Sequence, residues 1–141
     1  MDDERMTTVA DTGFAVALGN QRDQYHAEVK RVYAQQKQIL LPQTVLAEVA
    51  YLLHRDAGTA QLVQFLDALP ASRFHPICLT EQDFARSAAI LKQYSDSRID
   101  FVDASVMAIA ERYNLDTILT LDRRDFSLYQ PPHCAAFTLL P

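Results

Sequence analysis

Residues Ile99 to Phe126 read IDFVDASVMAIAERYNLDTILTLDRRDF, and the chain is organised around them. Asp100 is placed to cap a helix from Phe101 to Tyr113. Asp103 lies one turn into that helix. The short apolar run Thr117 to Leu121 reads as a strand and ends on Asp122, with Asp125 three residues further on. Carboxylates crowded at the ends of buried elements repel one another, so they cost stability unless a cation offsets them. The stretch therefore points to a metal site.

Upstream, Thr7 to Ala10 is a β-like run ending at Asp11, followed by a turn at Thr12 to Phe14 and a short helix, AVAL. Tyr25, Val29, Val32 and Gln36 recur at helical spacing, which predicts one amphipathic helix over Gln21 to Gln36. Ile39 to Leu41 is an apolar strand closed by Pro42. Thr44 is the expected N-cap of VLAEVAYLLHR, where Glu48 shares the stripe of Val45, Val49 and Leu52. Gly58 separates this helix from another over Thr59 to Leu69, stopped by Pro70. Phe74 to Leu79 reads as a strand. Thr80 with Asp83 forms a capping-box pattern for a helix reaching about Tyr94. Ser95 to Arg98 is a polar loop, and Ala135 to Leu139 a last strand. Short apolar strands alternating with helices predict a mostly parallel sheet covered by helices on both faces.

At 141 residues, 49% hydrophobic and 22% charged, the chain is expected to form one soluble globular domain over 1–141. No apolar run is long enough to cross a bilayer. The acidic start MDDERMTT lacks a signal-peptide core, so a cytoplasmic location and no membrane association are expected. The two cysteines, Cys78 and Cys134, are expected on different strands as free thiols, outside any CxxC or Cys/His pattern. A net charge of −5 repels nucleic acid overall, which weakens a simple nucleic-acid-binding module. It leaves room for an enzyme that meets phosphate through a metal and a few local arginines.

Sites in open α/β sheets form beyond the carboxyl ends of the strands, where strand order reverses. If the chain winds outward from its first strand and returns on the other side, Asp11 and Asp122 end neighbouring strands. Glu48 and Asp103 then sit one turn into helices that start at the same edge. Oxygen donors without Cys or a His pair suit Mg²⁺ or Mn²⁺. Each acid also has a plainer role. Asp11 could cap the helix after it, Glu48 could snorkel at the core rim, Asp103 could complete a capping box with Asp100, and Asp125 could serve a turn. Arg98, Arg123 and Arg124 flank the acids and are candidate contacts for a substrate phosphate, or else a solvated cluster pairing with the acids. His26, His54, His75 and His133 are scattered and are assigned no catalytic part. Tyr25, Tyr33 and Phe14 read as core or dimer contacts.

Asp11 after a short N-terminal strand, Glu48 in AEVAYLL, Asp103 in FVDASVMAIAER and Asp122 in ILTLDRRDF resemble the PIN domain, in particular the toxin nuclease of VapBC-type toxin–antitoxin pairs. The resemblance covers nearly the whole chain. It implies a Rossmann-like, single-domain three-layer α/β/α sandwich and a Mg²⁺- or Mn²⁺-dependent endoribonuclease acting on RNA. It also implies a homodimer and a cognate antitoxin. The acids carry over as Asp11, Glu48, Asp103 and Asp122. Thr120 matches a hydroxyl often found there, and Asp100 and Asp125 match auxiliary positions. A haloacid-dehalogenase-like phosphatase would want an acid where Gly13 stands, and a phosphate-receiver module a lysine after Lys92. A catalytically silent PIN-like module that binds RNA or protein is the alternative.

Overall fold

The computed structural model describes residues 6–141. The acidic start of the chain, Met1 to Arg5, lies outside them. Five strands form one sheet: β1 (Met6–Ala10), β2 (Gln36–Pro42), β3 (Phe74–Ile77), β4 (Thr117–Leu119) and β5 (Thr138–Leu140). Their order is β3-β2-β1-β4-β5. Every neighbouring pair is parallel, so the mostly parallel sheet expected from the sequence is parallel throughout. The strand order reverses between β1 and β4, where Val9 faces Ile118 and Ala10 faces Leu119. Asp11 continues that ladder, its N–H donating to the Leu119 carbonyl at 2.9 Å.

The helices are α1 (Thr12–Gly19), α2 (His26–Ala34), α3 (Gln43–Ala57), α4 (Thr59–Ala68), α5 (Glu81–Gln93), α6 (Phe101–Arg112) and α7 (Arg123–Leu128). Helix α1 packs on α2, α3 and α4, whereas α5 pairs with α6. Right-handed crossovers place α1 to α4 on one face as the chain moves outward to β3. They place α5 and α6 on the other face as it returns to β4. The product is the expected α/β/α sandwich. Val9, Ile39, Leu41, Ile118 and Leu119 fill its centre with Phe14, Leu53, Met107 and Ile109 from the helices, all fully buried.

Several boundaries differ from the sequence reading. The helix expected from Gln21 begins at His26, because Asn20 and Asp23 side chains accept from the Arg22 and Tyr25 N–H groups and hold a turn there. Gln36 leaves the helix to open β2, paired with Met6, although its Nε2 still reaches the Val32 carbonyl at 3.0 Å. Strand pairing outweighs the helical period at that position. Thr44 does not cap α3, since Pro42 occupies the N-cap position. Its Oγ1 instead shares a 2.6 Å hydrogen bond with Ser105 Oγ, tying α3 to α6. Both capping boxes read from the sequence are present, Thr80 with Asp83 and Asp100 with Asp103. Neither cysteine sits within a strand: Cys78 follows β3, Cys134 lies in the loop before β5, and both are free. The turn expected after Asp122 is the short helix α7.

Candidate active site

Four pieces of chain meet at the carboxyl edge of the sheet. Asp11 leaves β1, Asp122 follows β4, Glu48 projects from α3 and Asp103 from α6. Together with Asp100 and Asp125 they line one open cavity of about 420 Å³, shared with Arg98. The acids expected to meet therefore do line one crevice at the β1–β4 switch point. Gly13 lies on its wall, where an added Cβ would find only ordinary contact, 3.7 Å from the Leu121 Cβ.

Each of three carboxylates is anchored by one oxygen. Asp11 Oδ2 lies 3.2 Å from the Thr120 hydroxyl, which is itself fully buried and accepts from the Asp122 N–H at 2.9 Å. Asp103 Oδ2 accepts from the Asp100 N–H at 3.1 Å, while Asp100 Oδ1 accepts from the Asp103 N–H at 2.9 Å. Asp122 Oδ1 accepts from the Arg124 N–H at 3.1 Å and so caps α7. A locally held oxygen fixes the direction of its partner. Asp11 stands at the N-cap position of α1 but makes no side-chain capping bond, so its plainer role is not the one adopted. Asp103 does complete the capping box, and this occupies only one of its oxygens.

The electrostatics are those of crowded, partly dry acids. Burial pushes the Asp11 carboxyl up to about 6, with the charges of Asp122 and Glu48 adding to the shift and hydrogen bonds from Thr12 and Thr120 opposing it. Burial likewise pushes Asp103 up to about 8, helped by the charges of Asp100 and Asp11 and opposed by the Asp100 N–H. Asp125 is raised by burial and by Asp122, against the nearby guanidinium groups of Arg124 and Arg98. Among the described residues the ion pairs lie elsewhere, between Arg55 and Asp56, Arg86 and Glu111, and Arg112 and Asp83. Among the described residues no cation forms an ion pair with these carboxylates, although Arg98 borders the cavity.

Among the described residues, no three acidic, His or Cys side chains are already gathered tightly enough to hold a metal ion. The carboxylates line one cavity without converging on one point. Their mutual repulsion and their bonds to backbone N–H groups account for that spread. The donor set still fits a hard divalent cation: oxygens only, several of them carboxylate, with one oxygen of Asp11, Asp103 and Asp122 outside the local bonds described. Small turns about the side-chain torsions would be needed to bring them together.

The arginines divide. Arg98 borders the carboxylate cavity, and Arg124 borders the cleft next to it. Arg123, read as a candidate phosphate contact, is committed elsewhere: its Nη2 donates to the carbonyls of Leu139 and Pro141 at the end of β5. Three of the four histidines have local partners among the described residues, His26 Nδ1 at the Ala17 carbonyl, His54 Nδ1 at the Thr59 hydroxyl and His133 Nε2 at the Leu115 carbonyl. Phe14 is core, as expected, whereas Tyr25 is exposed. The Thr44–Ser105 tie, which braces the two helices carrying Glu48 and Asp103, escaped sequence reading because no local pattern links residues so far apart. A separate, mainly apolar cavity of about 320 Å³ between α2 and α4 contains no carboxylate and offers no comparable chemistry.

The sequence matches the PIN domain over residues 8–130. The chain belongs to the PIN domain family. It is 29% identical to Ribonuclease VapC26 of Mycobacterium tuberculosis over 134 residues, which is 94% of this chain and 99% of that protein. Its fold resembles that of VapC20 from the same organism, a sarcin-ricin-loop-cleaving toxin, with a TM-score of 0.76, 24% identity and coverage of 83% of this chain and 91% of that one. A toxin–antitoxin complex from Klebsiella pneumoniae is similar with a TM-score of 0.70 and 21% identity, covering 95% of this chain and 96% of that one. Among the described residues of this PIN domain, no helix is long and apolar enough to cross a membrane.

Proposed function

We propose that this PIN domain is an endoribonuclease that hydrolyses RNA phosphodiester bonds with a divalent cation, Mg²⁺ or Mn²⁺, and acts as the toxin of a toxin–antitoxin pair. The observation that carries the chemistry is the group of carboxylates gathered at the β1–β4 switch point, where burial first and neighbouring acids second hold Asp11 and Asp103 well above the ordinary carboxylate range. The substrate class and the antitoxin partner come from the relatives, a VapC ribonuclease along nearly the whole chain and toxin–antitoxin complexes of the same fold.

Asp11, Glu48, Asp103 and Asp122 are the residues that would hold the cation. When bound, it supplies positive charge at a phosphoryl oxygen and makes water a better nucleophile at neutral pH. Thr120 positions Asp11, and Asp100 positions Asp103, each by the hydrogen bond to one carboxylate oxygen. A carboxylate among these acids can orient the attacking water or take its proton, while the raised values of Asp11 and Asp103 describe the metal-free site, where protons compete with the cation for the same oxygens. Arg98, at the cavity rim, is the side chain best placed to meet the RNA phosphate.

The spread of the acids, with Asp103 and Asp122 both engaged as helix caps, favours one rival: a silent PIN-like module that binds RNA or protein without cleaving it. Purified protein incubated with RNA in Mg²⁺ or Mn²⁺, beside the same mixture in EDTA, separates the two. Cleavage that needs the metal and vanishes in a folded Asp103→Asn protein supports the nuclease. Intact RNA under all conditions supports the silent module.

A further inference from the structure

Asp122 is exposed, beyond the end of β4 and just before the six-residue helix α7. The chain at that point is held from two sides, and both holds end on β5. On one side the Thr120 N–H donates to the Leu140 carbonyl at 2.7 Å. On the other, Arg123 Nη2 donates to the Leu139 carbonyl at 3.2 Å and to the Pro141 carbonyl. Three successive carbonyls therefore grip the chain before and after Asp122. Carbonyls alternate in direction along a strand, so that of Leu140 faces β4 and those of Leu139 and Pro141 face away from it. Among the described residues β5 is an edge strand, and without Arg123 its outward carbonyls would meet only water. A charged donor makes these bonds stronger than neutral ones.

Resting on the nuclease reading above, we infer that Arg123 is a positioning residue: its clasp on the end of β5 holds the Asp122 carboxylate in place to bind the divalent cation. A plainer role is to guard the sheet edge, since charged side chains there block pairing with other chains. Thr120 argues for more than that. The same strand end holds the residue whose hydroxyl reaches Asp11 Oδ2 at 3.2 Å and accepts from the Asp122 N–H at 2.9 Å. One support thus serves two of the acids. The Asp122 carboxylate is tied only through Oδ1, to the Arg124 N–H, so its direction follows the backbone that the clasp holds.

The test is Mn²⁺ binding by titration calorimetry, with circular dichroism as the check on fold. Arg123→Ala should weaken Mn²⁺ binding roughly 10- to 100-fold, as for partners that orient metal ligands. Loss of the charge alone would act the other way, because removing a cation beside crowded carboxylates favours a bound metal. Arg124→Ala removes a charge from the same turn, leaves the clasp, and should not weaken binding. In metal-free Arg123→Ala the Arg124 N–H should exchange with solvent faster than in wild type. On RNA, kcat should fall with KM unchanged. Arg123→Lys should restore most of the affinity, because one nitrogen makes both bonds and an ammonium can replace it. Mn²⁺ affinity in Arg123→Ala equal to or tighter than wild type overturns the assignment, and so does an equal loss in Arg124→Ala. Loss of fold in Arg123→Ala overturns it too, since the tie is then structural. In each of these cases wild-type cleavage of RNA leaves the nuclease reading standing. A wild-type protein that neither binds Mn²⁺ nor cleaves RNA overturns both.

Discussion

Asp103 serves structure and site with different atoms. Its Oδ2 closes the capping box at the start of α6, while burial and the neighbouring acids raise its carboxyl to about 8. Replacement by Asn keeps an acceptor at that place and removes the charge. Asp103→Asn is therefore expected to abolish metal-dependent RNA cleavage without unfolding the protein, as seen by circular dichroism. In EDTA near pH 8 the variant should also melt higher than wild type, because wild type carries a crowded charge there that the variant lacks. Thr120 is the matching case one shell further out. Its hydroxyl, fully buried, stands between Asp11 Oδ2 and the Asp122 N–H. Thr120→Val keeps the shape and removes the bridge. Cleavage should fall roughly 10- to 100-fold, as for partners that orient metal ligands. Stability should drop by about 1 kcal/mol, read from the midpoint of urea unfolding.

At the scale of elements, the site depends on where helices begin. Helices α3 and α6 start at the carboxyl edge of the sheet, and the Thr44–Ser105 hydrogen bond joins them one turn from Glu48 and near Asp103. The junction between α3 and α4 rests on Gly58, whose φ of +89° lies in the left-handed region. A Cβ there would meet nothing within 4 Å, so the cost of Gly58→Ala is conformational and not steric. That cost should be about 1 kcal/mol of stability with cleavage unchanged, measured by denaturant midpoint and RNA turnover. Helix α7 is six residues long and was legible only as a turn. So short an element has no apolar period to display, and it exists because Asp122 caps it and Phe126 anchors it in the core.

At the scale of the molecule, folding gathers carboxylates that the unfolded chain keeps apart. A carboxyl whose pKa is raised on folding stabilises the native state fully below its unfolded value of 3.8 and loses that contribution as pH rises. The loss runs through about 6 for Asp11 and about 8 for Asp103. In EDTA, the melting temperature should therefore fall as pH rises from about 5 to about 8. Mn²⁺ or Mg²⁺ should reverse that trend, since a ligand that binds only the folded state stabilises it by mass action, about 2.7 kcal/mol at a hundred times its dissociation constant. The rise on adding metal should be larger near pH 8 than near pH 5, because protons compete for the same oxygens. Melting curves that ignore the metal at both pH values would count against a cation held by these acids.

Much of this arrangement was decided locally. The apolar strands, the alternation with helices and the two capping boxes are written in neighbouring residues, because propensity, period and capping act over a few positions. That is why the class of fold and the acids at the ends of β1 and β4 could be read directly. The position of Gln36, the true start of α2 and the ends of the strands depended on which backbone groups found partners across the sheet, and no local pattern records that. Thr44 looked like a cap and became a tie to α6, because Pro42 already began the helix and Ser105 lay within reach. Arg123 and Arg124 are indistinguishable in sequence, yet one is spent on β5 carbonyls and the other borders a cleft. Only tertiary structure made that division, because side chains adjacent in sequence on a helix point in different directions and meet different neighbours.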